Sequence, residues 1–308
     1  MSMPASSRDW RIALIGYGEV GRILAEDLRA QGIAVQAHDI RLGQGGAPAD
    51  AMRAHAASTG VALADSHRAA LVDAQLVISA VTASQTVEVA NACAPGIAAG
   101  AWFLDFNSAS PGAKQRAAAL IDAAGGRYVE GAVMTSIPPY RIRVPLLLGG
   151  EQAASLAPLL GEIGFAAEFA AAKIGVASAT KMCRSIMIKG LEAMVIEAFT
   201  TARAYGVEDA VLASLAETFP SIDWEKQGTY FFGRVIQHGR RRAEEVREVA
   251  QTVRETGLSS WSADGTAKRQ AWVADLADSG LFGDRAAART DWRIEADRML
   301  AAIRESND

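Results

Sequence analysis

The sequence predicts an α/β protein in which an N-terminal, doubly wound, mostly parallel sheet is joined by a long helix to an all-helical C-terminal domain. Strand-like and helix-like segments alternate from residue 10 to about residue 172, which is typical of a parallel sheet covered by helices. No convincing strand follows. The segment from Lys173 to Gly206 has helical periodicity, and at roughly thirty residues it is longer than a single domain usually needs. We therefore predict domains at residues 1–172 and 173–308.

The composition argues against several classes of protein. Half of the 308 residues are apolar and 21% are charged, as in an ordinary globular protein with two domains. The net charge of −4 argues against nucleic acid or an anionic membrane as the main partner. We expect no signal peptide and no membrane span, and therefore a cytoplasmic protein. Two cysteines without C-x-x-C spacing predict neither a disulfide framework nor a metal site.

The first predicted strand ends in a glycine motif. Residues 10–15 have the pattern of a buried strand and an amphipathic helix extends to about residue 31; between them stand Gly16, Tyr17, Gly18, Glu19, Val20 and Gly21. Gly16 permits the tight turn, Gly18 lets the backbone approach a pyrophosphate, and Gly21 lets helix and strand pack closely. The helix N-terminus offers N–H groups to the phosphates. The motif in this setting favours a dinucleotide-binding Rossmann domain over a glycine-rich turn without a ligand.

An acidic residue ends the second predicted strand. Asp39 lies eighteen positions after Gly21, close to the spacing of the acid that binds the adenosine ribose hydroxyls. Its carboxylate would repel a 2′-phosphate, which favours NAD. Arg41, two residues later, could bind that phosphate and keeps NADP open as the alternative. We interpret His38 as a strand residue rather than a ligand.

Alternation continues through the first domain. Residues 43–60 are rich in glycine and alanine and are predicted to form a loop with a short helix; strands are predicted at 75–81, 102–106, 128–133 and 145–148, and helices at 84–93 and 111–124. Ligands of such sheets bind beyond the carboxyl ends of the strands. The residues predicted there are Val81, Thr82, Asn107, Ser108, Met134, Thr135 and Ser136. Taken singly, each cluster is equally explained by ordinary turn chemistry.

One face of the long predicted helix carries cations. Lys181, Ser185 and Lys189 stand at i, i+4 and i+8, with Arg184 beside them. Buried cations are costly unless they are paired or used, so we predict that this face closes an active site. Hydride transfer to a nicotinamide requires a group that accepts the hydroxyl proton, and a neutral lysine can do this. Arg184 and Lys189 would favour that neutral form. The alternative is that Lys181 only pairs with an acid of the other domain.

Helices are predicted for the rest of the chain, at 208–218, 222–238, 240–256, 261–277 and 286–304. Gly239 is taken as a break between two of them. Residues 240–242 are predicted to form solvated helix surface, because Glu244 and Glu245 follow Arg240 and Arg241 at ion-pair spacing. The predicted helix-packing aromatics are Trp224, Tyr230, Phe231, Phe232 and Trp261. The long helix and the apolar helical domain predict a homodimer through this domain.

Four segments are similar to motifs of one family. Residues 12–21 (IALIGYGEVG) resemble its opening, residues 104–111 (LDFNSASP) its D-x-S-T-x-x-P segment, residues 130–136 (EGAVMTS) its D-x-P-V-S-G-G segment, and residues 175–181 (GVASATK) its G-x-G-x-x-x-K segment. The sequence thus resembles the β-hydroxyacid dehydrogenase family, which includes 3-hydroxyisobutyrate and 6-phosphogluconate dehydrogenases. The lysine of the last segment is the family's catalytic acid/base, which implies that role for Lys181.

The departures from the family pattern concern the substrate pocket. Ala177 replaces a glycine, Ser185 stands where many members have a catalytic asparagine, and residues 134–136 replace the Ser-Gly-Gly turn that contacts the substrate carboxylate. Arg141 or Arg143 would then supply a carboxylate contact. The stretch 181–192 is similar to a divergent branch that includes phenylserine-type dehydrogenases.

The resemblance implies an NAD(P)-dependent oxidoreductase that reversibly oxidises the 3-hydroxyl of a small hydroxy acid. The implied substrate contacts are Asn107, Ser108, Met134, Thr135, Ser136, Arg184 and Ser185, and the implied cofactor contacts are residues 16–21, Asp39, Arg41, Val81, Thr82 and Asn107. One alternative is an imine reductase of the same architecture, although those enzymes usually lack this lysine. Others are an NAD-binding sensor without turnover and a decarboxylating enzyme of the 6-phosphogluconate type.

Overall fold

A computed structural model describes residues 6–283 and 291–305. The chain divides into two compact units, Met1–Met182 and Cys183–Asp308, and the division falls inside the long helix. None of the helices in the described part of the chain combines the length and the apolar character that crossing a membrane requires.

The first unit contains one eight-stranded sheet. Its strands are β1 Arg11–Ile15, β2 Ala34–His38, β3 Ala62–Leu63, β4 Leu76–Ser79, β5 Trp102–Asp105, β6 Arg127–Val133, β7 Leu146–Gly149 and β8 Ala167–Ala171. They lie in the order β3-β2-β1-β4-β5-β6-β7-β8. Only the β6–β7 pair is antiparallel among these neighbours. The predicted doubly wound, mostly parallel sheet is therefore confirmed.

Helices cover both faces of this sheet. They are α1 Glu19–Ala30, α2 Gly46–Thr59, α3 His67–Ala70, α4 Thr86–Cys93, α5 Pro111–Ala123 and α6 Ala153–Glu162, and α7 Val176–Tyr205 begins in this unit. Alternate residues of β1 belong to two separate cores, because successive strand side chains point to opposite faces. Leu14 packs with α1 and α6, whereas Ile15 packs with α4 and α5.

The second unit is all helical over its described residues. After α7 come α8 Glu208–Thr218, α9 Trp224–Glu255, α10 Trp261–Asp278 and α11 Trp292–Glu305. Its core is built around Phe199, Phe232 and Trp292. The first part of the helix predicted at 286–304, residues 286–290, lies outside the described residues.

The predicted break at Gly239 is wrong. A single helix, α9, runs through this position. A Cβ atom at Gly239 would lie 2.8 Å from the carbonyl oxygen of Gln270 in α10. The glycine therefore allows two helix backbones to approach closely, and it does not end a helix.

One further local prediction is wrong, and two elements of the first unit were not predicted. Residues 46–59 form a helix of 14 residues, not a loop with a short helix, and Gly60 ends it with a φ of +70°. β8 and α6 are not predicted at all. β8 is mostly exposed, so it lacks the apolar alternation by which a strand is recognised.

The basic run 240–242 is only partly solvated. Arg241 pairs with Glu245 as predicted, and Arg240 pairs with Asp275 and Asp278 of α10. Arg242 is buried and pairs with the buried Glu192 of α7. Two helical positions correspond to a rotation of about 200°, so Arg242 faces away from Arg240 and the surface prediction is wrong for it.

The aromatic prediction is correct for three of five side chains. Trp224, Phe231 and Phe232 are buried in the helical core. Tyr230 is half-exposed, and Trp261, the first residue of α10, is 83% exposed. Tyr230 points away from the core that its neighbour Phe231 joins, because successive positions on one helix point in different directions. Trp261 begins another helix and is not a core residue.

Candidate active site

Two glycines of the glycine motif are required by the fold itself. Gly16 follows β1 with a φ of +95°, and a Cβ atom there would lie 2.3 Å from the carbonyl oxygen of Ala80. A Cβ atom at Gly21, in the first turn of α1, would lie 2.1 Å from the carbonyl oxygen of Gly16. Because these two positions carry no Cβ atom, β1, β4 and α1 can approach one another closely at the carboxyl end of the sheet.

Gly18 has a different environment. It precedes the first residue of α1, and a Cβ atom added to it would approach only one group of the described chain, the Arg41 guanidinium at 3.2 Å. No side chain of the described residues caps this helix end. Unpaired N–H groups beside an open glycine are what a pyrophosphate requires. The residues present therefore fit a dinucleotide.

The remaining residues of the motif serve packing and turn formation. Tyr17 is fully buried, and its hydroxyl group lies 2.8 Å from Nδ1 of His55, so its side chain faces the interior. Val20 is partly buried and Glu19 is exposed as the first residue of α1. A ligand at this turn would therefore meet main-chain atoms rather than the Tyr17 ring.

Asp39 and Arg41 form one hydrogen-bonded group at the end of β2. The Asp39 carboxylate accepts hydrogen bonds from Tyr17 N at 2.9 Å, from Arg41 N at 2.9 Å, and from Arg41 Nε and Nη2 at 3.0 Å each. Burial, the largest single influence, raises the pKa of this carboxyl group, but the hydrogen bonds from Arg41 and Tyr17 outweigh it and the net pKa is lowered. Asp39 is therefore a carboxylate at neutral pH.

Asn107 connects the ends of β4 and β5. Its Oδ1 accepts a hydrogen bond from Val81 N at 2.7 Å, and its Nδ2 donates to Ser79 Oγ at 2.9 Å. Asn107 is buried, whereas Thr82 is exposed. The Val81 side chain in turn lies beside Gly16. The structure thus brings the predicted residues of β1, β4 and β5 to one region.

A buried ionic group lies beneath Asn107. Asp105 Oδ1 lies 2.9 Å from Nζ of Lys114 and accepts a hydrogen bond from Asn107 N at 2.9 Å, and Oδ2 accepts one from the Tyr128 hydroxyl at 2.7 Å. Burial, and then the Asp105 charge, raise the pKa of Tyr128 well above its ordinary value. Sequence reasoning missed Lys114. The signal was a lysine among the alanines of the buried face of α5.

Lys181 and Ser108 are in direct contact. Nζ of Lys181 donates a hydrogen bond of 2.6 Å to Oγ of Ser108. Ser108 follows the end of β5 by three residues, and Lys181 stands in the second turn of α7. Both side chains are partly exposed. Two residues taken from separate motifs therefore lie within hydrogen-bonding distance, inside the first unit.

Glu130 joins β6 to the start of α7. Its side chain is 0% exposed; Oε1 accepts hydrogen bonds from Gly175 N at 2.7 Å and Ala177 N at 3.1 Å, and Oε2 accepts one from Ser178 Oγ at 2.8 Å. Sequence reasoning gave Glu130 no role. The signal was an acid within an otherwise apolar strand.

The comparisons with known proteins agree with this geometry. Residues 11–170 match the family model described as the NAD binding domain of 6-phosphogluconate dehydrogenase. The chain belongs to the β-hydroxyacid dehydrogenase family. Residues 202–273 match a second model, described as a domain of unknown function (DUF1932). As a member of this family, the protein is an NAD(P)-dependent oxidoreductase.

Two similar proteins cover most of the chain. A conserved hypothetical protein from Sinorhizobium meliloti 1021 is 35% identical, and its crystal structure matches over 94% of this chain and 96% of that one, with a TM-score of 0.76. An uncharacterized 28.5 kDa protein in the 7S RNA 5′ region of Methanothermus fervidus is 28% identical over 243 residues, which are 79% of this chain and 90% of the relative.

More distant structures share the fold alone. A 3-hydroxyisobutyrate dehydrogenase from Mycobacterium tuberculosis is 17% identical, with coverage of 94% of this chain and 99% of that one and a TM-score of 0.66. A reductive aminase from Aspergillus terreus is 19% identical, with coverage of 92% and 97% and a TM-score of 0.53.

The segment in which this family member departs from the pattern follows β6. Met134 continues the strand pairing through its N–H, which donates to Pro145 O at 2.9 Å, while Thr135 is exposed and Ser136 is partly buried. Arg141 pairs with Asp27 and Glu26 of α1, at 2.8 and 2.6 Å, so its charge is compensated by these two acids.

Arg143, the other arginine considered for a carboxylate contact, lines a polar surface depression with Arg8 and Glu162. Arg8 precedes β1, so this depression lies toward the amino ends of the parallel strands. The dinucleotide motif stands at their carboxyl ends. Arg143 therefore does not face the predicted ligand region.

The two cations predicted on the part of α7 that belongs to the second unit, Arg184 and Lys189, differ in burial. Lys189 is buried and pairs with Glu245 of α9 at 2.5 Å, so its charge is compensated within this unit. Burial lowers the pKa of Lys189, and the Glu245 carboxylate partly offsets this effect. Ser185 is buried and Arg184 is exposed. Across residues 6–283 and 291–305, no three His, Cys, Asp or Glu side chains are grouped as a metal site would require.

Proposed function

We propose that the protein reversibly oxidises the 3-hydroxyl carbon of a small hydroxy acid, with NAD as cofactor and Lys181 as general acid/base. The observation that carries this proposal is the 2.6 Å contact between Nζ of Lys181 and Oγ of Ser108. Ser108 follows Asn107, which is bonded to Val81 beside Gly16 of the dinucleotide turn. This series of contacts connects the Lys181 amine with the glycine motif and supports a role for that amine near a bound dinucleotide.

The geometry supports a division of roles between these two side chains. In the oxidative direction the uncharged Lys181 amine accepts the proton of the substrate hydroxyl, the carbon–oxygen bond becomes a carbonyl, and the carbon loses its hydrogen with the electron pair. A nicotinamide held at the dinucleotide turn would supply the acceptor for that hydride. In the reductive direction the Lys181 ammonium returns the proton to the oxygen. Ser108 accepts a hydrogen bond from Lys181, so its own O–H group can donate a hydrogen bond to the substrate oxygen.

The choice of NAD rests on Asp39. Its carboxylate is held at the end of β2 and ionised, and a charge there repels a 2′-phosphate. Arg41, which would attract such a phosphate, is already bonded to Asp39 through Nε and Nη2. The four hydrogen bonds from Tyr17 N and Arg41 fill the lone-pair sites of the Asp39 carboxylate, so ribose hydroxyls would bind Asp39 in place of hydrogen bonds that Arg41 now donates.

The substrate contacts, assembly and location are proposals from the sequence. Asn107, Ser108 and the segment 134–136 follow the carboxyl ends of β5 and β6, and Arg184 and Ser185 stand about one turn beyond Lys181 on α7. A homodimer through the helical domain, a cytoplasmic location and likeness to phenylserine-type dehydrogenases complete the proposal.

Replacement of Lys181 tests the function directly. In Lys181→Met, kcat with the best of a panel of 3-hydroxy acids should fall by about 10²–10⁴-fold, while NADH binding measured by fluorescence stays close to that of the unmodified protein. Lys173→Met removes an exposed lysine shortly before α7 and serves as the matched control. An undiminished kcat in Lys181→Met would remove this residue from the mechanism.

An imine reductase is the second candidate, supported by the fold shared with the Aspergillus terreus reductive aminase. The lysine counts against it. Incubation with NADPH, a ketone and an amine, with consumption of NADPH followed by absorbance, separates the two activities. Turnover of the imine, unaffected by Lys181→Met, would favour the reductase.

A further inference from the structure

Glu130 is a buried carboxylate that no cation of the described residues neutralises. Within that part of the chain its side chain makes no ion pair, although it is fully buried. Its register partner on the neighbouring strand, Asp105, has Lys114 at 2.9 Å. A buried charge without a counter-ion persists only where other groups stabilise it. For Glu130 those groups must be its hydrogen-bond donors.

The donors all belong to the start of α7. They are the N–H groups of Gly175 and Ala177 and the hydroxyl of Ser178. The first N–H groups of a helix have no partner inside it, and the helix dipole places partial positive charge at that end. The carboxylate thus satisfies two of these groups and is stabilised by them. Gly149 leaves it room, because a Cβ atom there would lie 2.3 Å from Oε1 of Glu130.

The same helix start carries Lys181. This residue stands four positions, or about one turn, after Ala177, whose N–H is bonded to Glu130. A shift or rotation of the first turn of α7 would therefore move Nζ of Lys181 away from Ser108. The loop that carries Ser108 is fixed from below by Asp105, through Asn107 N at 2.9 Å. Both sides of the Lys181–Ser108 contact are thus held by buried carboxylates on adjacent strands.

We propose that Glu130 is the positioning residue of Lys181: by binding the N-terminal turn of α7, it sets the distance between Nζ of Lys181 and Oγ of Ser108. This inference rests on the proposed function, because positioning has a catalytic effect only if Lys181 exchanges the proton. Glu130 itself touches neither substrate nor cofactor. Displacement of a catalytic group by about 1 Å can cost on the order of 10²-fold in rate.

Three variants separate positioning from general stability. Glu130→Ala leaves the N–H groups of Gly175 and Ala177 without an acceptor. Glu130→Gln keeps an oxygen for both of them, and its amide can donate to Ser178 Oγ, whose single proton is then donated to Gly175 O at 3.1 Å. Glu168→Gln, an exposed carboxylate of β8, is the matched control.

The expected result is a change in kcat with little change in cofactor affinity. Glu130→Ala should lower kcat by about 10–100-fold with the KM for NAD within about threefold of the starting value, Glu130→Gln should recover most of kcat, and Glu168→Gln should match the unmodified protein. Wild-type kcat in Glu130→Ala, a Glu130→Gln variant as slow as Glu130→Ala, or a parallel loss of NAD binding would each overturn the proposal.

A structural measurement keeps the inference separate from the proposed function. If no hydroxy acid is turned over by the unmodified protein, the proposed function fails, and crystal structures of the variants then decide about Glu130. The distance from Nζ of Lys181 to Oγ of Ser108 should lengthen from 2.6 Å in Glu130→Ala and be retained in Glu130→Gln. Should Glu130→Ala not fold, Ser178→Ala removes one of the three bonds and should lower kcat several-fold; an unchanged kcat and distance would contradict positioning.

Discussion

Asp105 and Glu130 are register partners on the neighbouring parallel strands β5 and β6, and both carboxyl groups are buried. The two charges are stabilised differently. Asp105 has the ammonium group of Lys114, whereas Glu130 has the N-terminal turn of α7. Each then holds one of the residues on which the proposed chemistry depends, Ser108 or Lys181. The loop after β5 and the first turn of α7 are therefore each held by a buried carboxylate of the sheet.

Removal of Lys114 should destabilise the first unit strongly. Lys114→Met leaves the Asp105 carboxylate buried without its counter-ion, and breaking such a pair costs about 3–5 kcal/mol. Urea unfolding of the variant measures this loss. The double variant Lys114→Met/Asp105→Asn removes both charges and should be less destabilised than the single variant. Equal stability of Lys114→Met and the unmodified protein would show that the pair contributes nothing.

Residues of the candidate site could be singled out from the sequence where they belong to a motif. They could not be singled out where contacts between distant residues decide the partner of a side chain. The spacing of the glycines and the lysine segment singled out Gly16 and Lys181 without any structure. Glu130 and Lys114 carried only the signal of a charged residue on an apolar face. Which partner such a residue finds depends on strand register and helix packing. The partner therefore cannot be read from neighbouring positions in the sequence.

The cofactor preference should depend on the Asp39–Arg41 pair. Asp39→Ala removes the charge that repels a 2′-phosphate and releases the Arg41 guanidinium, so the affinity for NADPH relative to NADH should rise by about tenfold or more. Arg41→Ala should weaken NADPH binding more than NADH binding. Dissociation constants of both reduced cofactors, from fluorescence titration, measure the ratio. If the ratio is the same in all three proteins, this pair does not select the cofactor.

The stability of the first unit should change with pH through His67. Burial, and then the neighbouring His38 ring at 4.6 Å, lower the pKa of His67. The unfolded chain, with an ordinary value of about 6.5, therefore binds the proton first as the pH falls. Stability is complete above that pH and declines as the pH falls through the lowered folded-state value.

His67→Gln removes this titration and should flatten the slope of unfolding free energy against pH below about 6.5. An NMR titration of the His67 ring in the folded protein checks the direction independently. A midpoint at or above about 6.5 would contradict the expected shift.

The fold was predicted well where the apolar periodicity is strong. It was predicted poorly where the structural role of a residue depends on its neighbours in space. The long helix was expected from Lys173 to Gly206 and is observed at Val176–Tyr205. β8 has little apolar pattern to reveal it. Gly239 is the clearest error, since a glycine that ends a helix and one that admits a neighbouring helix are identical in sequence.

The role of Gly239 can be tested against a second helical glycine. Alanine normally stabilises a helix interior by about 1 kcal/mol relative to glycine. At Gly265 of α10, an added Cβ meets no atom within 4 Å, so Gly265→Ala should stabilise the protein by about that amount. At Gly239 the added Cβ would lie 2.8 Å from Gln270 O, and the strain of forcing the helices apart, about 1–3 kcal/mol, should exceed the gain. Urea unfolding of both variants should therefore give free-energy changes of opposite sign. Stabilisation by Gly239→Ala would mean that α9 and α10 do not depend on this close approach.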